Sequence, residues 1–434
     1  VLIVTMVVVF AIAALVLTMS RNVRVEAGVS ANALATLEAD AIVRGAEQFV
    51  MSVLTDQRDS LADIPESDFE AVPVGRGWFW VVRPDFDDSA LASYGLVDEA
   101  SKLHLNVAGY ERLRLVPGLT DPIAASIVDW RDEDDTPTES GAESAQYLSR
   151  QPPYNAKNSA FEAVEELALV HGMTGDLLYG TPGATAGESS STISFSSDRY
   201  LEHGVFDYFT VWNSQPNTAA DGTRRVSLNG AQNRDQLRQV LRTRISQARG
   251  DEIVNRLGTS NVSDLFDFAN RVQLETDELE QIEDYVTTAN PQQPLRGRIN
   301  VNTAPRDVLL TLEGLSSSDV DSLLARRPSA VADNPASIAW VYDVLKERAV
   351  GLGNQVAGTG RQYSADLVAL AGNGRAFRRV RVVIDTTPTP PRVVYRRDWT
   401  DRGWPLDPQI LEDVRAGRGV SGSTGLGGFG GLGR

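Results

Sequence analysis

The stretch VLIVTMVVVFAIAALVLTM, residues 1–19, carries no charged side chain. Its length matches the roughly 20 apolar residues that cross a bilayer as one helix. It has neither the basic leading segment nor the small-residue cleavage site of a secretory signal peptide. It reads as a single-pass membrane anchor at the front of an already processed chain, with roughly 415 residues outside the bilayer. Beyond Arg21 and Arg24 the apolar residues Ala31, Leu34, Leu37, Ala41, Ile42, Ala46, Phe49, Val50 and Val53 recur mostly at spacings of three and four, the stripe of an amphipathic helix. No proline occurs before Pro65. One helix over residues 1–57 is therefore expected, about 80 Å long at 1.5 Å per residue, its first third in lipid and the rest lying on a domain.

The remainder bounds the function classes. The 434 residues allow two or three domains, and 42% hydrophobic residues suit packed cores. The net charge of −17 repels phosphate backbones, so no nucleic-acid partner is expected. The absence of cysteine excludes disulfides and thiolate chemistry. The three histidines, His104, His171 and His203, share no metal-ligand spacing. No GxSxG, HExxH or Walker motif is present, so an enzyme is not expected.

Strand character is confined to the two ends of the chain. WFWVV (78–82) and YGLV (94–97) read as early strands, and FRRVRVVID (377–385) and RVVYRRDW (392–399) as late ones joined through TTPTPP. Pairing late with early gives a discontinuous α/β domain from 58–100 and 376–405, interrupted by a helical insertion over 101–375. The insertion carries a repeat. LHLNVAGYERLRLVPGLTDPIAASIVDWR (103–131) aligns without a gap to INVNTAPRDVLLTLEGLSSSDVDSLLARR (299–327), giving related lobes at about 101–180 and 296–350. Asn106 matches Asn302 and Arg131 matches Arg327, and VSLNGA (226–231) is a degenerate third entry. Residues 181–198 read as a Ser/Thr/Gly-rich linker, 350–364 as a loop and 406–434 as a flexible Gly-rich tail, whose formal GxGxxG at Gly425, Gly427 and Gly430 has no strand before it.

The repeat has the form of the helix-hairpin-helix units of DNA-uptake receptors. Its turns, Gly118-Leu119-Thr120 and Gly314-Leu315-Ser316, lack the second glycine of a phosphate-binding hairpin, and packing is their more natural role. A membrane-anchored DNA-binding protein of an uptake pilus is the alternative reading. The sharpest candidate site is DWRDEDDTPTESGAE (129–143). Crowded carboxylates repel unless a cation joins them, and an all-oxygen set suits Ca²⁺. A solvated acidic loop is the competing reading of the same residues.

Four blocks resemble the GspK family, the large minor pseudopilins of the type II secretion system: the uncharged N-terminal helix, SIVDWRDEDDTPTESGAESAQYL (126–148), PPYNAKNSAFEAVEELALVHGMT (152–174) and RINVNTAPRDVLLTL (298–312). The resemblance implies an α+β fold: a pilin-like long N-terminal helix on a small antiparallel sheet, with a large inserted helical domain of helix-hairpin-helix or SAM-like type. It implies a protein of the bacterial inner membrane, its C-terminal bulk in the periplasm, that caps the tip of the pseudopilus and aids its assembly. The implied partners are GspI-like and GspJ-like minor pseudopilins, with contact to secreted substrate or the secretin also open. Thr5 stands where most pilins carry a glutamate, as in other GspK proteins; a subunit at the tip has no neighbouring ammonium to neutralise. Thr5, Val7, Phe10, Ala14 and Leu17 are the expected filament-packing positions. Asp132, Asp134 and Glu143 match the family's calcium-binding positions, with Asp129 and Asp135 equally close in the loop and open as further ligands.

Overall fold

The computed structural model describes residues 2–56, 64–86, 93–180 and 204–420. The expected linker at 181–198 and the GxGxxG of the tail lie outside the described residues. Helix α1 runs unbroken over Leu2–Asp56. Its second half buries Ala35, Ala39, Ile42, Val43, Ala46, Val50 and Leu54, spaced by three or four residues, apart from the adjacent Ile42 and Val43, so one face meets the sheet. The stripe read from the sequence holds from Ile42 onward but is misplaced before it. Leu34 and Leu37 are 61% and 64% exposed, and Ala41 also faces outward. The sheet-facing positions there are Ala35 and Ala39, which pack on Ala371; their small side chains let the helix approach the strand end closely.

The sheet is wholly antiparallel. Strands β1 (Val72–Val74), β2 (Gly77–Arg83), β3 (Ser93–Tyr94), β4 (Val97–Asp98), β5 (Gln362–Leu370), β6 (Phe377–Asp385) and β7 (Arg392–Asp398) form it, in the order β1-β2-β5-β6-β7 with β3 on β2 and β4 on β5. Side chains alternate between faces. Phe79, Val81, Leu367, Ala369, Val380, Val382 and Ile384 pack under α1, whereas Trp80, Val368 and Leu370 face away from it, toward Leu406 and Val414.

Three sequence expectations are corrected here. The late strands do not pair with β2 directly. Residues 362–370, assigned to a loop and the insertion, form the central strand, with Leu370 opposite both Trp78 and Phe377. QYSADLVAL is covered on both faces, so it lacks the alternation of a half-buried strand, and its buried Asp366 is paired with Arg379. The insertion therefore ends before Gln362 rather than at 375. The flexible tail also begins later than 406: helix Pro408–Arg415, capped by the Asp407 side chain, buries Val414 against the sheet.

The insertion is built on three equivalent joints. Leu103–His104 pairs in parallel with Phe209–Thr210, Val226–Ser227 with Val286–Thr287, and Ile299–Asn300 with Val356–Ala357. An asparagine follows each joint. Asn106 accepts from Phe161 N (2.7 Å) and donates to its carbonyl (2.9 Å). Asn229 does the same at Val262 (2.8 and 3.0 Å). Asn302 donates to Pro335 O and Gly358 O and accepts from Trp340 Nε1. The degenerate entry at 226–231 thus opens a lobe of its own. Hairpins one and three touch, buried Arg112 of helix α2 (Tyr110–Leu113) donating to Thr311 O (3.1 Å). Asp98 of β4 fastens the third lobe to the sheet, accepting from Asn300 Nδ2 (2.6 Å) and Thr303 Oγ1 (3.2 Å).

Candidate metal centre

Helix α3 (Asp121–Arg131) is pinned by the apolar side chains Ile123, Ala124, Ile127 and Trp130. Its last turn carries Asp129 inward, fully buried. Arg131 ties the helix end back to the repeat entry by donating to Ala108 O, as Arg327 does to Ala304 O in the third lobe. The chain leaves the helix at Asp132 and runs through an acidic loop to Glu143, the N-cap of α4 (Ser144–Leu148). Gln146 Oε1 accepts from Glu143 N (3.0 Å).

The fold brings together Asp129, Asp132 and Glu143, each offering a carboxylate oxygen within 4.8 Å of the others. Asp134 and Asp135, also named from the sequence, do not join that group. Asp134 Oδ1 accepts from Thr136 N (2.8 Å) and Asp135 Oδ1 from Ser144 N (3.3 Å), both at exposed positions. Those bonds close the loop on itself. The bond from Ser144 holds the Asp135 carboxyl below its usual range.

The grouped carboxylates behave oppositely. Burial, then the charges of Asp129, Asp132, Asp135 and Asp134, push Glu143 up to about 7. Asp129 and Asp132 are also raised, burial being the larger cause in each. Thr138 N donates to both oxygens of Asp129 at 3.2 Å. Glu143 is 2% exposed and neither of its carboxylate oxygens has a donor among the described residues. Asp132 Oδ1 and Asn158 Oδ1 are likewise buried without a donor. Four such oxygens around one loop are costly unless something positive joins them. Oxygen-only donors of this kind fit a hard divalent cation and would hold it through Asp129, Asp132 and Glu143.

Two residues of the site escaped the sequence reading. Asn158 takes a left-handed backbone (φ +46°) and donates through Nδ2 to Asp134 O (2.7 Å), stapling the loop to the following segment. Gly141 leaves room for the Asp129 carboxylate. Both lie in the quoted motif blocks, but neither is charged, so the crowding of carboxylates does not point to them.

The filament-packing candidates are all exposed on α1: Val7, Phe10 and Leu17 at 63%, 67% and 68%, with Thr5 and Ala14 beside them. The Thr5 hydroxyl is satisfied within the helix by Leu2 O (2.8 Å). Among the described residues α1 is the one helix long and apolar enough to cross a membrane, and its most apolar window is wholly unburied.

Comparison with known proteins adds a likeness over part of the chain. No curated protein matches the chain. It is similar to a chain of the solved GspK-GspI-GspJ complex of the enterotoxigenic Escherichia coli type 2 secretion system, at 13% identity and a TM-score of 0.42, covering 83% of this chain and 96% of that one. Residues 95–179, which include the whole acidic loop, match the family model described as type II secretion system (T2SS), protein K. Over that segment the chain is similar to the type II secretion system protein K family.

Proposed function

We propose that this chain is a minor pseudopilin that caps the tip of a type II secretion pseudopilus and aids its assembly, with no catalytic role. One observation carries the reading: a long apolar helix end whose described large side chains are exposed is joined to a head whose own core is complete without it. Such a segment needs lipid or other helices to cover it. Before assembly it anchors the protein in the inner membrane, with the head in the periplasm. Afterwards Val7, Phe10, Ala14 and Leu17 pack against GspI-like and GspJ-like partners. The three-lobed insertion leaves little room for a further subunit above it, which is what a cap requires.

Asp129, Asp132 and Glu143 hold Ca²⁺ in this reading. The ion neutralises the crowded carboxylates and fixes the loop between α3 and α4. The role is structural: it sets the shape of the first lobe.

In the native host, loss of this protein should leave cargo unsecreted. The full chain should restore export, and a chain lacking residues 2–19 should not. Normal secretion with the truncated form would refute the anchoring and capping role.

A further inference from the structure

A cation stands immediately before each of the three joints of the insertion. Lys102 is answered by Glu99 (2.7 Å) and Arg225 by Asp284 (2.6 Å). Arg298 has no carboxylate partner among the described residues. Burial pushes its guanidinium down to about 10, and the charge that adds to the shift is a second cation, Arg225. Around Arg225 there are thus two guanidinium groups and one carboxylate.

Arg225 also lines a cleft of about 410 Å³, within the range of small-ligand sites. The cleft lies between residues 224–227, which enter the second joint, residues 288–292, which leave it, and the start of helix Arg234–Arg244. Among the described residues no carboxylate and no aromatic ring lines it. Arg224 is exposed there and makes no ion pair with any described residue. The carboxylates of the surrounding segments are committed elsewhere. Asp221 accepts from Thr223 N (2.9 Å) and faces Arg244 (3.5 Å). Asp284 holds Arg225 and accepts from Ala220 N (2.6 Å). Asp235 takes Arg238 (2.7 Å).

The side-chain amides of Gln232, Gln236 and Gln292 are exposed on the cleft and make no hydrogen bond among the described residues. A carboxamide both donates and accepts, which matches the N–H and C=O groups of an extended main chain. An inorganic anion such as sulfate offers acceptors only and would leave the amide oxygens without donors. The lack of an aromatic platform disfavours a stacked base.

We propose that this cleft binds an extended acidic segment of a partner protein. The carboxamides of Gln232, Gln236 and Gln292 bond its main chain. An aspartate or glutamate side chain pairs with Arg224, in the two-bond geometry that guanidinium and carboxylate favour. Arg298, unneutralised beside Arg225, adds potential of the same sign. The net charge of −17 opposes an acidic partner at long range, so the recognition is local and acts within a Debye length.

The test uses the full chain in zwitterionic nanodiscs without added calcium, so that failure of the cation reading leaves it intact. The probes are acetyl-Ala-Glu-Ala-Glu-Ala-amide and its glutamine and lysine counterparts, titrated by saturation-transfer difference NMR with inorganic phosphate as competitor. The glutamate peptide should bind about threefold more tightly than the glutamine peptide, and the lysine peptide more weakly than either. Arg224→Glu should reverse the order of the glutamate and lysine peptides. The double variant Gln232→Ala, Gln236→Ala should weaken the glutamate and glutamine peptides alike, and equimolar phosphate should displace neither. Absence of saturation transfer to every peptide would overturn the proposal. So would an order that Arg224→Glu leaves unchanged, undiminished binding by the double variant, or displacement by equimolar phosphate, which would mark a site for simple anions only.

Discussion

Asp129 Oδ2 occupies the place that a Cβ on Gly141 would take, with Thr138 Oγ1 a further 2.7 Å neighbour of that point. The glycine of the GAE motif is thus required by space, since its backbone does not adopt the left-handed conformation. Any side chain there must drive the carboxylate out of its bonds with Thr138 N. Gly141→Ala should weaken calcium binding about tenfold or more, as displaced metal-site geometry commonly does. The fold should survive, because the loop is at the surface. Calorimetric titration beside far-UV circular dichroism checks both halves of that statement.

Glu143 supplies a second, sharper test. Its carboxyl is pushed up to about 7 by burial first and by the surrounding carboxylates after it. A cation must displace the proton that Glu143 then carries in mildly acid solution. Calcium affinity should therefore fall as pH drops below 7, by up to about tenfold per unit, and level off above it. Glu143→Gln should remove most of this dependence and weaken binding. In calcium-free buffer the same change should raise Tm, because it relieves repulsion among buried charges. A fall in Tm without calcium would mark Glu143 as a purely structural residue.

The sequence exposed the periodic and charged features of the molecule and missed the rest for physical reasons. The apolar run and the stripe from Ile42 onward were legible because burial repeats along a helix. Leu34 and Leu37 misled because hydrophobicity was taken to mean burial, whereas contact with Ala371 selects the smaller Ala35 and Ala39. Strand β5 was invisible because a central strand covered on both faces carries no alternating signal. Crowding alone did not separate Asp134 and Asp135 from Asp129 and Glu143. That sorting depends on which carboxylates find backbone N–H groups within the loop.

The asparagine clamps make the three lobes separately addressable. Asn229 exchanges two hydrogen bonds with Val262, as Asn106 does with Phe161. Asn229→Ala leaves both partners of Val262 unmade, at a cost of about 1–3 kcal/mol. Amide hydrogen exchange at Val262 should accelerate while protection at Phe161 stays unchanged, and Asn106→Ala should give the mirror result. Loosening of both lobes by either substitution would show that they unfold as one unit and not as independent repeats.

Glu283 sets a pH limit on the junction between the second and third lobes. It follows helix Thr276–Ile282 and accepts from Ile338 N (3.1 Å) at the start of helix Ala339–Leu345. Burial raises its carboxyl from 4.5 to about 8, and the nearby charges of Glu280 and Asp284 add to the shift, while bonds from Ser337 and Ile338 oppose it. The unfolded chain releases this proton near 4.5, whereas the folded chain keeps it to about 8. The folded state therefore holds its advantage below 4.5 and loses it progressively as the pH climbs through 8, by a few kcal/mol in all. Glu283→Gln mimics the protonated form. It should leave stability almost unchanged in acid and raise it in alkali, flattening the decline between pH 5 and 9 in urea unfolding curves. A variant whose curve keeps the wild-type slope would show that another group governs the alkaline loss of the third lobe.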